Sequence, residues 1–112
     1  MDKKITDAVK MLGKSLVLKG GKDVVVRKTP TSPLFDCIVI ATCENSGHMD
    51  GLIASSRNLM KKAGLTERHV EGRGSSEWVA LDYDTVVVHL FDKDARNAFK
   101  LERLWPDPDA MD

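Results

Sequence analysis

The chain has 112 residues, 42% hydrophobic and 30% charged, and its 17 basic and 17 acidic side chains cancel to zero net charge. That length suits one domain with an ordinary core. The composition excludes a disordered chain and a generic polyanion binder, whose affinity rests on neutralising phosphates.

No apolar run reaches the roughly 18 residues of a membrane span, and no signal or transit peptide is recognisable near Met1. The expected location is therefore cytoplasmic. Charge is nonetheless segregated: residues 1–30 carry a balance of +5 and residues 71–112 a balance of −5. The acidic C-terminal part favours a basic partner.

In chain order, residues 2–18 predict an amphipathic helix, with Ile5, Ala8, Val9, Leu12 and Leu16 at helical spacing and lysines opposite. Asp2 is positioned to cap its start and Gly20-Gly21 to stop it. Residues 23–27 form a short strand, and Thr29-Pro30-Thr31-Ser32-Pro33 is loop chemistry. Residues 36–43 are nearly continuously apolar, the mark of a central strand covered on both faces. Cys37 and Cys43 lie on it, about 20 Å apart in extended chain. That exceeds the roughly 7 Å limit for bridged Cα atoms, so both are expected as buried thiols in a reducing compartment.

A second helix over about 47–63 follows, with Ser46 as N-cap and Gly64 as stop. Its inner face is Met49, Leu52, Ile53, Ser56, Leu59, Met60 and Ala63. Strand, polar turn, helix and a further strand suggest a βαβ unit, and residues 65–71 are strong enough only for an edge. Asp92 caps a short third helix with Ala95, Ala98 and Phe99 inward. Prolines then end regular structure beyond Trp105.

Between these lie two β-branched-rich runs, Glu77–Asp82 and Thr85–Phe91, joined by Tyr83-Asp84, which predicts a β-hairpin. With Tyr83 and Asp84 as the turn pair, Asp82 faces Thr85 and Trp78 faces His89. One face is then Val79, Leu81, Val86, Val88 and Leu90, which must be core. The other carries Trp78, Ala80, Asp82, Thr85, Val87, His89 and Phe91. Trp78 with Ala80 and Val87 makes a flat apolar centre, and Asp82, Glu77 and His89 a polar rim. That is the pattern of a surface awaiting a partner. The competing arrangement folds Leu101, Leu104 and Trp105 back over this face within the same molecule. A homodimer through the same face is a third arrangement.

Catalytic and metal chemistry find less support. His48, His69 and His89 lack ligand spacing with one another or with the cysteines. A thiolate is disfavoured in a hydrophobic strand, and Ser46 has no base besides His48. The Glu44–Gly47 turn lacks a phosphate-loop fingerprint. Asp82 and Asp84 resemble the Asp-x-Asp pairs that hold metal ions in nucleotidyltransferases. The alternative function is thus a small Mg-dependent nucleotidyltransferase-like enzyme using those two carboxylates.

Glu71-Gly72, Glu77-Trp78-Val79-Ala80-Leu81-Asp82-Tyr83, Val86-Val87-Val88-His89-Leu90-Phe91, Arg96 and Leu101-Glu102-Arg103-Leu104-Trp105 together resemble the ribosomal silencing factor (Iojap) family. Phe35–Thr42, with Ser46 and His48, fits its first half. The resemblance implies a domain over residues 1–105 and a tail over 106–112. Its fold would be α/β: a mixed, about five-stranded sheet with helices packed on it, nucleotidyltransferase-like but without the catalytic residues. It further implies a non-enzymatic translational repressor without cofactor or metal. Such a protein docks on the large-subunit ribosomal protein numbered fourteen and sterically blocks joining of the small subunit, and some relatives assist large-subunit maturation. The implied contact residues are Glu71, Trp78, Asp82, Tyr83, Val87 and His89, with Leu101, Glu102, Leu104 and Trp105 nearby. No sequence-specific nucleic-acid or membrane contact is implied. Where the family has Gly-Asp after the hairpin's aspartate and aromatic, this chain has Asp84-Thr85.

Overall fold

A computed structural model describes residues 3–29, 35–72, 74, 77–100 and 103. The elements run α1 (Lys3–Leu18), β1 (Lys22–Lys28), β2 (Cys37–Thr42), α2 (Ser46–Lys62), β3 (His69–Glu71), β4 (Trp78–Asp82), β5 (Val86–Phe91) and α3 (Lys93–Phe99). The strands form one mixed sheet in the order β1-β2-β5-β4-β3. Only β2 and β5 pair in parallel; the other neighbours are antiparallel. This is the α/β architecture expected, with one change of connection. The parallel partner of β2 is β5, and the strand after α2 goes to the far edge. The three-residue β3 has little to bury, whereas β5 carries apolar residues on both faces and claims the centre.

The two faces of the sheet are covered unequally. On one, Ala8, Val9, Leu12 and Leu16 of α1 and Met49, Leu52, Ile53 and Met60 of α2 pack on Val39, Ala41, Val79, Leu81, Val86, Val88 and Leu90. Full burial of each valine, leucine, isoleucine or methionine among them contributes about 1.5–3 kcal/mol. Among the described elements, the other face receives only α3. There Ile38, Ile40, Phe91 and Ala95 are buried, with Val25, Phe35 and Trp78 partly covered beside them. All six residues of β2 are buried, as its apolar run predicts. Cys37 and Cys43 are free and buried, and burial above all pushes both thiols up to about 11.

Helix ends are set by capping chemistry. In α1, Gly20 takes φ +86°, its N–H reaches the Val17 carbonyl, and the Gly21 N–H reaches the Leu16 carbonyl at 2.8 Å. These two bonds satisfy carbonyls that the helix end would orphan. The expected cap Asp2 lies outside the described residues. At the start of α2 the N-cap is Asn45, whose Oδ1 accepts the His48 N–H at 2.8 Å, and the expected cap Ser46 is the first helical residue. Both residue types cap well, and the extended backbone at position 45 decides between them. Asn45→Ala is expected to cost about 1 kcal/mol in urea denaturation, and Ser46→Ala only a few tenths.

His48 joins two elements: Nδ1 accepts the Glu44 N–H at 3.0 Å, which leaves Nε2 to donate to the Lys19 carbonyl at 2.9 Å. In α3, Asp92 caps as expected. Ala98, however, faces solvent, and Arg96 is the residue that turns inward, its Nη1 donating to Thr42 Oγ1 at 3.1 Å. In so short a helix the inward stripe follows the sheet beneath it, and here it runs through Ala95 and Arg96, with Phe99 half-open at the end.

The hairpin forms with a corrected register. Asp82 stands opposite Val87 and Trp78 opposite Phe91, two residues away from the expected pairing. The turn pair is Asp84-Thr85. Asp84 takes φ +74°, and the Thr85 N–H donates to the Tyr83 carbonyl at 2.9 Å. Asp82 Oδ1 accepts the Asp84 N–H at 2.8 Å. Asp tolerates positive φ better than the flanking Tyr or Thr, so the tight bend centres on position 84. A register change of two keeps every side chain on its expected face. Val79, Leu81, Val86, Val88 and Leu90 are all fully buried.

Candidate docking face

The face bearing α3 is laid out in cross-strand rows. One row runs Arg27, Ile38, Val87, Asp82, His69, and the next Val25, Ile40, His89, Ala80, Glu71. The third is Thr42, Phe91, Trp78. Ile38, Ile40 and Phe91 are fully buried, while Trp78, Ala80, Val87 and His89 are only half-buried. Neither the indole nor the imidazole is sealed by the helices.

Four rings cluster there. Trp78 stacks on Phe91 at 5.1 Å and leans on Phe99 of α3 at 4.7 Å, with His89 5.8 Å away. Phe99 is 53% exposed, so this corner is shared between the sheet and the helix end. Phe99 was expected to face inward as packing; its lone aromatic character at the end of a short helix is the signal that it belongs to this face.

Trp78 Nε1 donates to His89 Nδ1 at 3.0 Å. Burial lowers the His89 pKa from 6.5 to about 4. Between those values the unfolded chain binds a proton that the folded chain does not, so stability rises with pH through that window. Acidification from pH 7 toward 4 should remove at most roughly 3 kcal/mol through this group, and nearer 1–2 kcal/mol because the ring is partly solvated. Urea midpoints at pH 7 and pH 4.5, compared between the wild type and His89→Gln, isolate that contribution.

The other expected contact residues separate. Glu71 lies at the sheet edge on the same face, 2.7 Å from His69 Nε2. Asp82 is half-buried on this face, with one carboxylate oxygen engaged by the turn. Tyr83 does not join them. It is 5% exposed on the helix side, and burial, with Glu67 second, pushes its hydroxyl up to about 12. Alternation along β4 carries it to the opposite side of the sheet from Asp82. There it floors a separate cleft of about 540 Å³ beside the Arg57–Glu67 ion pair. Leu101, Glu102, Leu104 and Trp105 lie outside the described residues, as does any return of that segment over the face.

The carboxylates of the alternative enzymatic reading are drawn into local structure. Asp82 caps the Asp84 N–H, and Asp84 Oδ1 meets Arg68 Nη1 at 2.6 Å. Among the described residues no three His, Cys, Asp or Glu side chains are grouped to hold a metal ion.

A family model described as "Ribosomal silencing factor during starvation" matches residues 2–112. The chain belongs to the ribosomal silencing factor family. A Haemophilus influenzae ribosomal silencing factor is 30% identical over 88 residues, 79% of this chain and 86% of that protein. A Chromobacterium violaceum crystal structure superposes with a TM-score of 0.85 at 28% identity, covering 98% of this chain and 91% of that one. A mouse protein named for mitochondrial assembly of the ribosomal large subunit is 23% identical over 101 residues, 87% of this chain and 44% of that protein. No described helix is long and apolar enough to cross a membrane.

Proposed function

We propose that this chain is a cytoplasmic translational repressor. It docks through the Trp78–His89 face on the large ribosomal subunit, at the basic protein numbered fourteen, and sterically blocks joining of the small subunit. The observation that carries this reading is the half-open aromatic sheet face: two helices cover one side of the sheet, while among the described elements only the seven-residue α3 covers a corner of the other. Trp78, Val87 and His89 form the centre of contact. Asp82 and Glu71 sit at its margin, where they meet a basic partner.

The segment from Leu101 to Trp105 extends the same contact. Tyr83 supports the hairpin from the core side and makes no contact of its own. A standard interface of about 800 Å² per partner suffices, so one sheet face with that segment is enough, and the body of the domain excludes the small subunit without any chemistry. The large-subunit assembly role in the mouse relative's name supports the choice of subunit and a parallel role in maturation.

Co-sedimentation with separated subunits tests this. The chain should travel with large subunits alone, and saturating amounts should prevent added small subunits from forming joined particles. Sedimentation with small subunits, or joining that proceeds undiminished, overturns the proposal. At a fixed Mg²⁺ concentration, addition of nucleotide should change neither result.

A further inference from the structure

We infer that Trp78 sets His89 as a fixed N–H donor at the middle of the docking face, so that the partner must place an oxygen acceptor there. This rests on the docking reading above and names the chemistry that the partner brings to it.

A neutral imidazole has one donor and one acceptor nitrogen, and which is which follows from the bonds they make. Here the indole N–H of Trp78 points at His89 Nδ1 over 3.0 Å. An indole can only donate. Nδ1 must therefore be the acceptor, and the ring proton resides on Nε2. Nε2 has no hydrogen-bond partner among the described residues, and His89 is only half-buried, which leaves this nitrogen available to an incoming group. With Nδ1 consumed, His89 has no lone pair left for an incoming lysine or arginine.

Its surroundings reinforce this. The row holding His89 places Ile40 and Ala80 beside it, and Val87 lies on the same strand face, so no neighbouring group competes for the proton. Burying Nε2–H under a partner without an acceptor would cost about 1–3 kcal/mol. A main-chain carbonyl or carboxylate oxygen meets the need. Cations of the partner go to Asp82 and Glu71 at the margin. The face thus divides its work: carboxylates at the edge attract positive charge, and one central donor reads the position of an oxygen. Trp78 is a positioning residue for that donor besides being an apolar contact.

Histidine-selective ¹⁵N NMR of the free protein reads the tautomer directly. The wild type should show His89 protonated at Nε2, and Trp78→Phe, which keeps a ring but removes the indole N–H, should show a mixture. Binding to purified large subunits then separates the roles. His89→Phe is expected to weaken binding about 10-fold or more. His89→Gln, whose amide can present a donor near the Nε2 position, should stay within about threefold of the wild type. Trp78→Phe should fall between. An Nδ1-protonated ring in the wild type, or wild-type binding by folded His89→Phe, overturns the inference. If His89→Phe binds normally while Trp78→Ala does not, the docking face stands and the donor role falls. If neither variant loses binding, both readings fall together.

Discussion

Trp78→Ala is expected to weaken binding to large ribosomal subunits by at least about 30-fold while leaving a folded domain. Truncating a central tryptophan of an interface commonly costs about 2 kcal/mol or more, and each 1.4 kcal/mol is a factor of ten. The variant also loses the stacking on Phe91 and Phe99 and the bond to His89. Because the indole is only half-buried, that loss should be about 1–3 kcal/mol of stability. A domain of this size has about 5–15 kcal/mol, so circular dichroism should still report the native fold. Co-sedimentation then reads binding separately from folding. Undiminished binding by the folded variant removes the site assignment, whatever the family's role.

The largest effect on stability is expected at Gly72. It follows β3 with φ +76°, and a Cβ added there would collide with the Trp78 carbonyl oxygen, a backbone atom that cannot swing away. Gly72→Ala therefore combines left-handed strain with displacement of the start of β4. We expect a loss of about 2–4 kcal/mol, lowering Tm by roughly 10–20 °C. Gly74→Ala is the control: its φ of +95° is also unfavourable for alanine, but no atom of the described residues lies within 4 Å of the added carbon. It should cost about 1 kcal/mol. A similar loss at both positions would mean that strain alone matters and that the close approach to Trp78 does not. Because Gly72 buttresses the strand that carries Trp78, its variant should also weaken subunit binding at temperatures where it remains folded.

Much of the docking face was legible before any coordinates. Alternation along two adjacent apolar runs assigns Val79, Leu81, Val86, Val88 and Leu90 to the core and Trp78, Ala80, Val87 and His89 to the other face, and the observed burial agrees. The pairing register was not legible. It turned on which residue of Tyr83-Asp84-Thr85 would take positive φ and on the Asp82 side chain closing the bend. The family motif places Tyr83 among the candidate contact residues, yet strict alternation along β4 puts it with Leu81. Phe99 reads locally as ordinary helix packing, because nothing local reveals that α3 crosses the sheet beside Trp78.

The order of apolar and polar residues along the chain determined the elements, the interior position of β2 and the two-sided character of the hairpin, because periodicity is a local property of a strand or helix. Which strand lies parallel to β2, that the short α3 packs on the second face beside Trp78, and that an indole N–H lands on an imidazole nitrogen were decided by tertiary structure alone. Those features depend on contacts between residues distant in the chain, and on how much surface each element can cover. Spacing along a single strand carries no record of either.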